Sequence, residues 1–337
     1  MRSILVFLML TISTFASLQA QAEQVNIYSF RQPFLIDPIL KEFTAQTGIE
    51  TKVIFSKKGL IQRLQREGEL SPADIVLTSD FSKMLQLKEK GLSQPYALSK
   101  TLEANIPAQF RDSENHWLAL TQRVRNVYSS KERSGDLSNI RYEDLANAEY
   151  KGRICTRSGK HPYNLGLIAS MIAHHGEAET EEWLTAVKGN LARKPQGNDR
   201  GQVKAIKEGL CDISLGNSYY LGKMLQDPKQ IEWANAVNLN FPNQQDRGSH
   251  INVSGAIMAK YAPHKESAQK LIEFLASKQA QSLYAELNME YPVMPTAKVS
   301  DLVSSWGTFK ADPLPLEEVA KYQKQALKLV DKVHFDL

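Results

Sequence analysis

Only two cysteines occur in the 337 residues, which excludes a disulfide-dense scaffold and leaves no closely spaced cysteine group of the kind zinc sites show. Long apolar runs are equally scarce. The run at the amino terminus, Ile4 to Ile12, falls short of the roughly 20 residues a spanning helix needs, and nothing later is long and apolar enough. Neither sign of charge dominates. Lys and Arg number 41 against 37 Asp and Glu, interspersed along the chain, so the footprint of a nucleic-acid partner is missing. G-x-S-x-G, P-loop and H-E-x-x-H signatures are also absent, and with them the usual signs of a hydrolase, an NTPase or a zinc protease. Ser267-Ala-Gln-Lys270 matches S-x-x-K but lies in a charged helical run without its companion motifs. It reads as chance, and the chain reads as a non-enzyme.

What is present begins with a targeting pattern. Met1-Arg2 supplies a positive start, the apolar run follows, and Ala20-Gln21-Ala22 gives a small-residue cleavage signature before Glu23. Residues 1–22 are therefore expected to be a secretory signal peptide, with the mature protein in the periplasm. No cysteine follows the small residues, so no lipid anchor is expected. About 315 residues remain, enough for two domains. Strand-like and helical patterns alternate: Val25 to Ser29, Pro38 to Thr47, Thr51 to Phe55, Leu60 to Glu67, Ala73 to Leu77 and Phe81 to Lys90. Such alternation implies a mostly parallel sheet with helices on both faces. His116 to Tyr128 reads as a long extended crossover into a second βα series, in which Arg153 to Thr156, Leu191 to Arg193 and Asp212 to Leu215 are strands. Helices there are expected from Tyr163 to His174 and from Gly201 to Glu208. Asn252 to Ala259 is a strand crossing back, and Lys265 to Ala276, Gln279 to Leu287 and Leu316 to Val333 are helical. The expected fold is α/β, two doubly wound lobes joined by crossover strands around a ligand cleft. The first lobe takes 23–122 and 256–337, the second 123–255.

In open α/β sheets ligands sit beyond the carboxyl ends of strands, which directs attention to the segments after Ser29, Thr156 and Leu215. After Leu215 comes Gly216-Asn-Ser-Tyr219-Tyr220. With Asn217 or Ser218 capping a helix, both tyrosines occupy its first turn, about 100° apart, and reach one cleft. After Thr156, the turn Arg157-Ser158-Gly-Lys-His161 leads to a helix that begins near Tyr163, its amides offering an anion-binding end. Three phenols suit a hard, strongly polarising cation, and a bound cation can hold phenolates deprotonated at neutral pH. Ferric iron has the Lewis acidity for this, and three phenolates balance its charge. Arg123 or Arg125 in the crossover offers a guanidinium to an accompanying anion; Arg123 is preferred. Each feature has a blander reading: a Tyr-Tyr pair at a core edge, arginines as solvated strand charge, His174 and His175 as an exposed helix end. Cys155 and Cys211 each lie in a short strand-like run. A disulfide joining neighbouring strands is expected, the alternative being two buried thiols.

Taken together, Tyr28-Ser-Phe-Arg31, Phe43-Thr-Ala-Gln-Thr-Gly48, Ser71-Pro-Ala-Asp-Ile-Val76, Lys151-Gly-Arg-Ile-Cys-Thr-Arg-Ser-Gly-Lys-His161 and Gly216-Asn-Ser-Tyr-Tyr220 resemble the ferric-ion-binding proteins of iron ABC importers. These belong to the type II periplasmic-binding-protein class. The resemblance runs over nearly all of the mature chain. It implies that Tyr163, Tyr219 and Tyr220 ligate Fe3+, that Arg123, with Ser158, holds a synergistic anion such as carbonate, and that the partner is an inner-membrane ABC permease served by a monomer. Relatives add a His and a Tyr after the first strand's arginine, where this chain has Gln32 and Pro33. Arg31, Gln32 and Asn217 are accordingly expected to supply outer contacts at most. The competing function is a binding protein of the same fold for another cargo, an oxyanion or a polyamine.

Overall fold

The computed structural model describes residues 23–337, so the signal peptide expected over 1–22 lies outside the described residues. Nine strands form one continuous sheet: β1 (Gln24–Ser29), β2 (Glu50–Phe55), β3 (Ile75–Thr78), β4 (Trp117–Ser130), β5 (Ile154–Cys155), β6 (Ile213–Asn217), β7 (Val237–Asn240), β8 (Ile251–Met258) and β9 (Tyr291–Pro292). Among the described residues thirteen α-helices cover it: α1 (Pro33–Thr47), α2 (Leu60–Glu67), α3 (Phe81–Glu89), α4 (Lys100–Asn105), α5 (Pro162–Gly189), α6 (Asp199–Lys207), α7 (Tyr219–Leu225), α8 (Ile231–Asn235), α9 (Lys265–Leu275), α10 (Lys278–Asn288), α11 (Asp301–Ser304), α12 (Leu316–Lys321) and α13 (Gln323–Lys332).

Strand order β2-β1-β3-β8-β4-β6-β5 makes β4 the bridge. Trp117 to Val124 pairs antiparallel with β8, whereas Arg125 to Ser129 pairs antiparallel with β6. A single fourteen-residue strand thus belongs to both halves of the sheet, and its central residues sit where the halves meet. β1 runs parallel to β2 and β3, and β5 parallel to β6, as the βα alternation predicts.

The apolar faces form separate cores. One gathers β1, β3, β8, α1, α9 and α10 around Ile27, Phe43, Ile75, Ile257 and Leu271. A second joins β6 to α5 through Val127, Leu167, Ile213 and Leu215. A third wraps α6 and α7 around Val203, Ile206 and Met224. Val319, Ala326, Leu329, Val330 and Phe335 enter the second core. The packing thus groups α13 with α5, and α12 bridges the first and second cores, with Val319 in the second and Leu316 and Ala320 against the first, whereas the sequence division placed 316–337 with the first lobe.

Several local expectations need correction. α1 begins at Pro33, since proline is tolerated in a first turn; Pro38, which suggested a start, lies inside the helix and forfeits one intrahelical bond. α5 does not stop at His174 but continues past a break at Gly176, whose φ of 82° only glycine adopts readily. His174 and His175 are no free helix end: they meet Asp312 at 2.7 Å and Glu143 at 2.8 Å. The helix expected over 316–333 is divided at Tyr322, and Leu191 contributes only an isolated bridge to Ile154. Cys155 and Cys211 form a disulfide with Cα atoms 5.9 Å apart, joining the end of β5 to the residue before Asp212 and β6.

Candidate metal-binding site

β6 delivers Asn217 to the sheet edge, and α7 begins two residues later with Tyr219 and Tyr220. Neither expected cap forms. The Ser218 hydroxyl accepts instead from the Val124 amide at 3.3 Å, and Asn217 Oδ1 accepts from Arg125 at 3.2 Å. The two tyrosine rings lie against each other, with centroids 4.1 Å apart and planes tilted by 32°. Tyr163 sits at the start of α5 behind Pro162, where a missing N–H does no harm. Tyr219 leans on the first core and Tyr220 on the third.

The three phenols share one electrostatic environment. Burial pushes the Tyr219 hydroxyl well above the usual tyrosine range, and negative charge on Tyr163 or Tyr220 would raise it further, against the pull of Arg123. Tyr220 is raised in the same way by burial, then by Tyr163 and Asp199. Ionising Tyr219 and Tyr220 at neutral pH therefore requires a cation beside their oxygens. Among the described residues no group of three or more His, Cys, Asp or Glu side chains could hold a metal ion; the hard oxygen donors that converge here are phenols.

Arg123, Arg125 and Arg157 lie beside the phenols, and Arg31 joins them through Glu290. Arg125 donates to Asp199 at 2.7 Å and to Asn164 at 2.6 Å, and Arg157 donates to the other Asp199 oxygen at 3.1 Å. Both guanidinium carbons lie over the Tyr163 ring, 6.0 and 5.5 Å from its centroid. Asp199 is fully buried; burial opposes its charge, but Arg125 and Arg157 hold its carboxyl below the ordinary range. On the opposite side Arg31 donates to Glu290 at 3.0 Å, and Arg123 meets the same carboxylate at 3.4 Å and donates to the Ser79 carbonyl at 2.5 Å. Glu290 behaves as Asp199 does: burial opposes its charge, and Arg31 and Arg123 keep it ionised.

Each carboxylate thus faces two guanidiniums, leaving both clusters with an excess positive charge. The Nε–H groups of Arg31, Arg123, Arg125 and Arg157 are buried and unpaired within the chain. That is donor capacity suited to oxyanions and phenolates.

The turn before α5 does not serve as the anion site the sequence suggested. Ser158 donates its hydroxyl to Asp336 at 2.6 Å, and the Gly159 amide donates to the same carboxylate at 2.7 Å. The Lys160 amide is taken by Ser158 Oγ, the His161 amide by the Ser158 carbonyl, and the Tyr163 amide by His161 Nδ1 at 3.2 Å. These amides are occupied by acceptors of the chain itself, so the unpaired donors near the phenols are those of the arginines.

His161 meets Tyr163 edge-on, with centroids 4.6 Å apart. Burial, reinforced by Arg157, pushes its imidazole down to about 3. It is therefore neutral at physiological pH, and because Nδ1 accepts, Nε2 carries the proton and has no lone pair for a metal. Arg31 is buried in the Glu290 cluster, whereas Gln32 is exposed at the start of α1 and makes no capping bond.

Sequence reasoning missed Arg157, Asp199 and Glu290. Arg157 stood inside a quoted motif with no sign of its direction. Asp199, after the helix cap Asn198, carried the ordinary signature of a helix start. Glu290 had no local signal, because its partners lie 259 and 167 residues away.

Comparison with known proteins finds relatives over most of the chain. Residues 71–311 match the family model described as bacterial extracellular solute-binding protein. Iron uptake protein A1 of Synechocystis is 37% identical over 320 residues, 94% of this chain and 89% of that protein. The crystal structure of the apo ferric ion-binding protein A of Pasteurella haemolytica superposes with a TM-score of 0.89 at 54% identity, covering 94% of this chain and 99% of that one. A Trichodesmium protein (IdiA, FutA), solved with iron and citrate ligands, gives 0.88 at 38% identity over 93% of this chain and 99% of its own.

Proposed function

This chain belongs to the bacterial extracellular solute-binding protein family, and we propose that it captures ferric iron outside the cytoplasmic membrane and hands it to the permease of an ABC importer. The observation that carries this reading is the cluster of Tyr163, Tyr219 and Tyr220 in a setting that keeps Tyr219 and Tyr220 protonated until a cation arrives. A weakly polarising ion leaves such phenols neutral and gains little from them. A trivalent hard ion displaces the protons and is neutralised by three phenolates. Relatives named for iron uptake and for ferric-ion binding match over nearly their whole length, which favours iron over the oxyanion or polyamine cargo a shared fold also admits.

Arg123 holds the accompanying anion, carbonate or another small carboxylate, with Arg31 behind it through Glu290. Gln32, exposed, and Pro33, without an N–H, leave the first lobe as cover and charge. Tyr163, Tyr219 and Tyr220 are the ligands, and Asn217 supports them through Arg125. Periplasmic export through a signal peptide over 1–22 and action as a monomer complete the reading. Among the described residues no helix is long and apolar enough to cross a membrane.

Titration of the purified mature protein with ferric citrate tests it. A visible phenolate-to-iron charge-transfer band saturating at one equivalent is expected. A protein that stays colourless and keeps no iron through desalting belongs to the other cargo class.

A further inference from the structure

The helix that carries two of the three phenols is also docked on the opposite lobe, and by residues that touch no ligand. Gly222, one turn beyond Tyr219, packs so closely on Met289 that a Cβ at this position would lie 2.5 Å from Met289 Cγ and 2.9 Å from its Cβ. Met289 closes α10 in the left-handed conformation, φ 59°, which is uncommon for a side-chain-bearing residue. Its side chain is buried. Next to it Lys223 donates its ammonium to the Leu287 carbonyl at 2.5 Å. That carbonyl belongs to the last turn of α10, where the helix dipole concentrates negative charge. The same end of α10 is fixed to α1 by Asn288, which donates to the Leu35 carbonyl at 2.9 Å. The Lys223 ammonium also stands 6.0 Å from the centre of the Phe34 ring.

We propose that Gly222 and Lys223, closing on Leu287 and Met289, form an interlobe latch that sets how long the cargo stays on Tyr219 and Tyr220. They are positioning residues. α7 is only seven residues long, so its first turn cannot shift independently of its fourth and fifth residues. When the latch holds, the two tyrosines are pressed against the first lobe; when it opens, they move away from Arg123 and Glu290, which remain on the crossover and on the first lobe. Glycine at 222 is what permits the close approach. Lysine at 223 satisfies a carbonyl that no continuing helix can reach.

The latch rests on the reading of the tyrosines as ligands only in its consequence for release, not for lobe contact, and the test separates the two. Small-angle scattering of the iron-free mature protein reports compaction; a visible stopped-flow record of iron transfer to excess pyrophosphate reports release. Lys223→Met and Gly222→Ala are expected to expand the iron-free protein and to accelerate release roughly tenfold, the worth of one hydrogen bond to a charged group. Lys223→Arg keeps the donor and restores both. Should Gly222→Ala fail to fold, Lys223→Met carries the test alone. Expansion in a protein that never colours with iron upholds the latch and removes the iron reading. Unchanged dimensions and release within twofold of the parent overturn the latch while leaving the iron site intact.

Discussion

Arg125 Nη1 lies 2.7 Å from Asp199 Oδ2, and both side chains are almost wholly buried. This pair does more than neutralise itself. Arg125 reaches Asn164 and Asn217, while Asp199 receives the Asn217 amide at 3.1 Å and Arg157 at 3.1 Å. The starts of α5, α6 and the β6–α7 turn are thereby pinned to β4, and these segments carry Tyr163, Tyr219 and Tyr220. The phenols are held in place before any cargo arrives, the condition for binding without a large ordering cost.

Asp199→Asn keeps the shape and removes the charge, leaving two buried guanidiniums without a counterion. Urea denaturation of the iron-free protein should show a loss of about 3–5 kcal/mol. A loss below about 1 kcal/mol would mean that the network is dispensable for the fold.

Acid should destabilise the protein in two steps. Burial, reinforced by Arg125, Arg247 and His174 against the opposing Asp312, pushes the His250 imidazole down from its ordinary value near 6.5 to about 4. The unfolded chain therefore takes up a proton before the folded one. Stability from this residue is complete above about 6.5 and declines as pH falls toward 4. Glu143, depressed to about 2 despite burial by Asn243 and Arg247, adds a second decline between about 4.5 and 2. Melting temperatures recorded from pH 8 to pH 3 should fall along this course. His161, pushed down to about 3, adds to the same upper decline, so His250→Gln should make that part shallower without removing it; an unaltered slope between pH 6.5 and 4 would assign the step to other groups.

The cystine closes a loop of 56 residues between Cys155 and Cys211. Constraint of the unfolded chain over that length contributes about 4 kcal/mol. The Cys155→Ser, Cys211→Ser double variant should lose up to this amount in denaturant titration, and the parent should lose the same on reduction. Equal stability with and without reductant would contradict a stabilising cystine.

Much of this was legible because it is local. The βα alternation follows from hydrophobic period and glycine stops, and Tyr219 and Tyr220 do open one helix, although not through the Asn217 or Ser218 cap that suggested it. Other features are not local. Pro38 misled because a helix that starts earlier can absorb a proline at the cost of one bond. Ser158 misled because its acceptor, Asp336, is 178 residues distant. The pairing of Glu290 with Arg31 and Arg123 depends on β9 lying beside β4, which no short window of sequence reveals. Residue type therefore pointed to the proposed phenol ligands, whereas the charge balance around them had to come from the fold.

The central claim is that three phenols hold the iron. Ferric loading of the parent and of the Tyr163→Phe, Tyr219→Phe, Tyr220→Phe variant, each desalted and assayed for bound iron and for the visible charge-transfer band, tests it most directly. The parent should retain one ferric ion and colour, and the triple variant should retain neither. Iron and colour persisting in the triple variant would contradict the account.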